Sequence, residues 1–155
     1  MIPDATLPLP RYLSVLFADD VRQEIDGKVT IVGVYQAKML FPQLPAVLPK
    51  LAVVMTAVTP ADRPFEKLVF SLYKDDEELQ SCGIDIAAQN ETGIDTTASS
   101  INGTPMIEVQ FGVILGPLNI EGSCVLRTRV ETESGILTGR SLEITAVSLV
   151  QNIQQ

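Results

Sequence analysis

Histidine and tryptophan are absent from the 155 residues. Without an imidazole there can be no Ser/His or Cys/His couple, no imidazole base, and no use of the commonest transition-metal ligand. Cysteine is scarce: Cys82 and Cys124 sit 42 positions apart in apolar surroundings. They read as two buried thiols, since a disulfide would need an oxidising compartment that nothing else suggests. Positive charge is also scarce, with eleven Lys and Arg against nineteen Asp and Glu, a net charge of −8. Such a chain cannot neutralise phosphates in bulk, so nucleic acid is a poor partner. No run approaches the roughly 18 apolar residues of a membrane span, which argues against a membrane partner. Residues 1–10 hold Asp4 and three prolines and no basic stretch. The expectation is no secretory leader and a cytoplasmic location. Neither Gly-x-Gly-x-x-Gly nor Gly-x-x-x-x-Gly-Lys-Ser/Thr occurs, so no nucleotide or other cofactor is expected.

What is present is an alternation of period two. Leu13, Val15 and Phe17 share one face, as do Val29, Ile31 and Tyr35, with Asp26-Gly27 between the two runs as a hairpin signal. Residues 51–58 are apolar on both faces, as in a central strand. Leu68, Phe70 and Leu72 point inward ahead of a turn at Asp75-Asp76, and Cys82, Ile84 and Ile86 follow. Val109, Phe111 and Val113 alternate with Glu108, Gln110 and Gly112. Leu126 and Val130 alternate with Arg127, Arg129 and Glu131, and Leu142 and Ile144 follow the turn at 133–135. No long amphipathic helix is visible. The fold expected is all-β: a single-domain β-sandwich over 1–155, Ig-like or similar, of about seven to nine strands.

Two stretches interrupt the rhythm. Residues 42–50 hold Pro42, Pro45 and Pro49 and read as an extended crossover, with Leu44, Val47 and Leu48 plugging the core. Residues 87–105 read as a long polar loop, and residues 1–11 as an extended N-terminal segment.

Acidic side chains are the remaining source of chemistry. Asp19 and Asp20 end one strand, and Asp75 and Asp76 open a turn that continues with Glu77 and Glu78. Carboxylates gathered on loops can hold Ca²⁺, which takes six to eight oxygens. Yet no Asp-x-Asp ligand run occurs, and neighbours on an extended chain point apart. The expectation is solvated turns and no metal. Asp19 with Arg22, or Asp62 with Arg63, could act as an acid and an electrostatic clamp in a carboxylate-based hydrolase. Sugar sites, however, use aromatic platforms, and the three Tyr and five Phe fall mostly on core faces. No catalytic residue is expected; the arginines read better as ties for turns.

Phe17-Ala18-Asp19-Asp20-Val21-Arg22-Gln23-Glu24 leads through Gly27-Lys28 to Ile31-Val32-Gly33-Val34-Tyr35. Leu48-Pro49-Lys50-Leu51 and Pro60-Ala61-Asp62-Arg63-Pro64-Phe65-Glu66 follow. Together, over residues 12–86, these resemble a family of small bacterial and prophage-type proteins of unknown function. The resemblance implies a compact all-β domain from a bacterial or phage source and supplies no catalytic residues.

The function expected is therefore contact with protein, through sheet edges and loops. The partner is another bacterial protein or a second copy. The first candidate surface is the C-terminal hairpin, with Arg127 and Arg129 on one face and Val147, Leu149 and Val150 on a final strand that would pair with a partner if it lay at an edge. The alternatives are a phage virion accessory, which would place the chain on a particle, and the carboxylate-based hydrolase.

Overall fold

The computed structural model describes residues 9–86 and 94–147. In chain order its strands are β1 (Tyr12–Gln23), β2 (Val29–Tyr35), β3 (Lys38–Phe41), β4 (Ala46–Leu48), β5 (Leu51–Pro60), β6 (Leu68–Lys74) and β7 (Glu77–Ile84). They continue as β8 (Ile94–Ile101), β9 (Thr104–Leu115), β10 (Leu118–Ile120), β11 (Cys124–Thr132), β12 (Gly135–Thr138) and β13 (Leu142–Ala146). One antiparallel sheet has the order β2-β1-β5-β9-β8. A second runs β3-β13-β11-β6-β7, with β12 also paired to β11. Its β3–β13 ladder is parallel and its other pairs are antiparallel. β4 and β10 form a small ladder of their own. Among the described residues no sheet closes into a barrel.

Alternation builds the core, as the period-two pattern requires. Leu13, Val15 and Phe17 of β1, Val53 and Met55 of β5, and Val109 and Phe111 of β9 come from the first sheet. Leu68, Phe70 and Leu72 of β6, Leu126 and Val130 of β11, and Leu142 and Ile144 of β13 come from the second. The Phe70 and Phe111 rings stack across the two sheets with centroids 5.5 Å apart. β5 is buried along nearly its whole length between β1 and β9, which explains its apolar character on both faces.

Among the described residues there are thirteen strands, against the seven to nine expected. The extra ones are too short or too polar to show a period. β3 and β12 have four residues each, and β4, within the proline-rich crossover, has three. In that crossover Leu48 is buried and Leu44 packs against the core, but Val47 points to solvent rather than plugging it. β8 occupies much of the segment read as a polar loop. Its Thr, Ala and Ser side chains carry no hydrophobic contrast, so its pairing with β9 is invisible to a pattern of apolar residues. Residues 87–93 of that loop, and 1–8 of the N-terminal segment, lie outside the described residues. Cys124 is buried and Cys82 half-buried, and no disulfide joins them. Among the described residues, no helix is long and apolar enough to cross a membrane.

Arg11, just ahead of β1, ties the two sheets at one end. Its side chain is only 7% exposed. Its Nε donates to the Thr59 hydroxyl at 3.0 Å and its Nη1 to Ser134 at 3.0 Å. Its Nη2 donates to the carbonyls of Arg63 and Pro64 and sits 2.6 Å from the Glu133 carboxylate. The guanidinium also lies 4.6 Å over the Phe65 ring. Glu133 in turn accepts from the amides of Glu66 and Lys67. The reading of Arg63 as a turn-tying cation is thus corrected: Arg63 contributes its carbonyl, and the guanidinium comes from Arg11.

Burial pushes the Glu133 carboxyl up, but hydrogen bonds from its own amide, from Arg11 and from the amides of Glu66 and Lys67 outweigh this. The group titrates at about 2, against an ordinary 4.5. Because the folded value lies below the unfolded one, the stabilisation is complete above about pH 4.5 and is lost as pH falls toward 2. Glu133→Gln is expected to flatten the acid limb of stability in that window, measured by urea unfolding at a series of pH values. Arg11→Ala should cost about 1–3 kcal/mol, mainly because it leaves the hydroxyl and carbonyl acceptors around a buried guanidinium without their donor, the carboxylate partner being open to water.

Gly139 is required by close approach. A β-carbon there would run into the Val15 and Thr128 side chains, both in the packed interior. Gly139→Ala should destabilise by about 1–3 kcal/mol, the usual cost of overpacking. Gly112→Ala, where a β-carbon would meet nothing within 4 Å, is the control expected to show no loss in the same unfolding experiment.

Candidate functional site: the β1–β2 arm and its open edge

The most distinctive surface is built by the first two strands. Asp26-Gly27 closes their hairpin as its sequence indicates. Gly27 adopts φ +82°, Gly27 N–H donates to the Glu24 carbonyl at 3.2 Å, and Glu24 N–H donates to the Lys28 carbonyl at 2.8 Å. Beyond the turn, β2 has the sequence Val-Thr-Ile-Val-Gly-Val-Tyr and forms an outer edge of its sheet. It contains no charge and no proline, two of the devices by which exposed edges are usually blunted. Val32 and Val34 are 43% and 42% exposed, Val29 is exposed as well, and Ile25 at the hairpin tip is fully exposed. Val29 was expected in the core, as was Ile31, which is only half-buried. The alternation is real, but at this end of β2 it faces no second sheet.

Polar contacts hold the arm at its root. Asp20 accepts from Lys50, which directly precedes β5, at 2.5 Å and from Arg22 at 3.1 Å. Lys50 and then Arg22 hold the Asp20 carboxyl at about 2, against an ordinary 3.8. Gly33 sits at φ +68°, and a β-carbon there would collide with the Asp19 side chain. Asp19 therefore lies across a residue that must be glycine and accepts the Tyr35 hydroxyl at 2.5 Å. The expected Asp19–Arg22 couple is thus replaced by Asp20–Arg22, because residues two apart on a strand share a face and residues three apart do not. No hydrogen bond or ion pair joins Asp62 to Arg63 among the described residues.

Between the arm and the sheet runs a groove of about 170 Å³. Val21 and Val29 line it from the arm, and Val54 and Ile114 from β5 and β9, with Gln23 and Gln110 supplying amides. Gly112, opposite Val54 in the ladder, leaves the space open. Its lining is mainly apolar, and Val29 belongs both to this groove and to the edge strand β2.

The residues singled out from the sequence fall elsewhere. Asp19 and Asp20 lie on the first sheet, whereas Asp75 and Asp76 form the β6–β7 turn of the second, so the two pairs are not brought together. Among the described residues, no group of three acidic or sulfur side chains gathers in a way that could hold an ion. Asp75 adopts φ 52° and accepts the Val125 amide at 3.0 Å. Asp75, Asp76, Arg127 and Arg129 do meet, with Tyr73, around one shallow depression. Arg127 donates to the Asp75 carbonyl, and Arg129 stacks over the Tyr73 ring and donates to its hydroxyl. The final strand is not an edge where it is described. β13 is paired on one side by β11 and on the other by β3, and the Val147 amide donates to the Phe41 carbonyl. Leu149 and Val150 lie outside the described residues. The premise of a free C-terminal edge fails because residues 38–41, unrecognised as a strand, cover it.

A family model, described as a family of unknown function (DUF6941), matches residues 13–112. The match begins in β1, contains the whole arm, and extends into β9, beyond the residue-86 limit of the motifs. No curated protein matches the chain.

Burial, and then the bond to the Asp19 carboxylate, push the Tyr35 phenol up to about 12. Asp19→Ala removes both the bond and the negative charge and leaves burial. The Tyr35 titration, followed by ring carbon NMR, should move down in that variant and still end above the ordinary value of 10.0.

Proposed function

Since the chain belongs to the family of unknown function DUF6941, we propose, from its own surface, that it is a non-catalytic protein-interaction module. It binds an extended segment of protein along the outer edge of β2. The observation that supports this is the uncharged, proline-free edge strand beside an apolar groove. Adding a strand there satisfies unpaired backbone groups and covers exposed valines at once. An Ig-like sandwich is a suitable scaffold, because it keeps a rigid core behind edges free for contact. A bacterial or phage setting fits the same role, as an intracellular adaptor or as an accessory on a particle. The edge at β2 takes the place of the C-terminal strand, and backbone pairing remains the mode of contact.

Val32→Lys is the test. Val32 is exposed and lies across from Asp20, so lysine is tolerated by the fold while charging the edge. In affinity capture from source lysate, a protein retained by the wild-type chain should be lost with Val32→Lys at unchanged melting temperature. Equal retention by both would overturn the edge as the binding surface.

A further inference from the structure

The edge strand carries enough information to name an occupant, and the following rests on the reading of β2 as the binding surface. Antiparallel ladders alternate hydrogen-bonded and non-hydrogen-bonded pairs. The Glu24–Lys28 bond identifies Lys28 as a position whose backbone faces β1. The register that follows, Arg22 with Thr30, Asp20 with Val32 and, past the interruption at Gly33, Ala18 with Val34 in the same frame, places the even residues of β2 in the same class. The backbone groups of Val29, Ile31, Gly33 and Tyr35 therefore point away from β1, toward the open side.

We propose that the partner of this edge is a second copy of the chain, joined antiparallel about a twofold axis through Val32. In that register Ile31 meets Gly33 of the second copy, and Val29 meets Tyr35. These are the odd positions, whose outward amides and carbonyls then bond to one another. Thr30 meets Val34, and Val32 meets its own equivalent at the close, non-hydrogen-bonded type of pair. Each of these last contacts brings together β-branched side chains, and Val29 with Tyr35 is an aromatic–β-branched pair, the kinds that stabilise sheets. The half-exposed Val32 and Val34 share one face of the strand, so the four copies of these valines cluster around the axis.

Charge selects the same edge. Self-pairing places every group opposite its own kind or a near neighbour, so a charged strand would repel itself. β2 has no charged residue, whereas β7, at an edge of the other sheet, begins Glu77-Glu78, and β3, at its opposite edge, begins with Lys38. β8 carries Asp95. The remaining surface bears the net charge of −8, so two copies repel at long range and join through an uncharged seam. Dimerisation should therefore strengthen with added salt, which screens the repulsion.

The experiment is light scattering of the full chain from 5 to 500 µM, at low and at 0.5 M salt, together with cysteine trapping. The wild-type mass should rise from 16.8 kDa toward twice that value, and more readily in high salt. Val32→Lys, which sets two ammonium groups face to face, should remain monomeric, and Val32→Thr should still dimerise. Val32→Cys should form a dimer disulfide on mild oxidation, since paired α-carbons at such a site are about 4.5 Å apart. Thr30→Cys should not, its two copies being roughly 14 Å apart along the strands. The wild-type chain controls for Cys82 and Cys124. A wild-type monomer throughout would overturn self-pairing, as would a dimer that survives Val32→Lys or a trap at Thr30 in place of Val32. Those results would leave the lysate comparison of wild type and Val32→Lys standing on its own. Loss of that comparison with a dimer intact would instead remove the foreign partner and keep the self-contact.

Discussion

The arrangement of the two sheets depends at one end on a single guanidinium. Arg11 belongs to the segment entering β1, yet it bonds the end of β5, the 60–67 connection and the β11–β12 turn. A cation taken from water needs its donors occupied and its charge balanced, and here both are done at once by two hydroxyls, two carbonyls and one carboxylate. The clamp leaves no buried side-chain polar atom without a partner among the described residues. It also fixes where β1 starts, and hence the register by which β1 carries the arm outward at its other end.

The arm is the reverse case. Its root is held by ionic and hydroxyl contacts at Asp19 and Asp20, while its far half has apolar side chains and no covering layer. Folding alone gives no return for exposing valines along a bare strand, and soluble monomers usually cover or charge such edges. The tension between a well-anchored root and an uncovered tip is what makes this surface stand apart from β7 and β8, whose edges are polar.

Much of the scaffold was legible in the sequence because its determinants are local. Phe17, Phe70 and Leu126 announce their faces by alternation, and Asp26-Gly27 announces its turn. What was not legible depends on cover and on distance. Val29 alternates as faithfully as Val15, but periodicity assigns a face without saying whether anything lies against it. Arg11 finds its partners 48 to 123 positions away, and no spacing rule connects them. β8 is held by backbone pairing with β9 rather than by apolar contrast, so its serines and threonines read as loop. The C-terminal edge was misplaced for the same reason: a four-residue strand, Lys38–Phe41, had to be recognised before β13 could be seen as an interior strand.

That last feature has a consequence for how the chain comes to be folded. Among the described residues β3 finds its ladder neighbour in β13, about a hundred residues later, a long loop to close before that contact forms. During synthesis the first sheet can assemble once residue 115 has emerged. The segment 38–41 must wait, exposed, until residue 146 arrives from the ribosome. The nascent protein thus passes through a stage with one sheet formed and the other unfinished, and its vulnerability to proteases and to wrong strand partners is concentrated there.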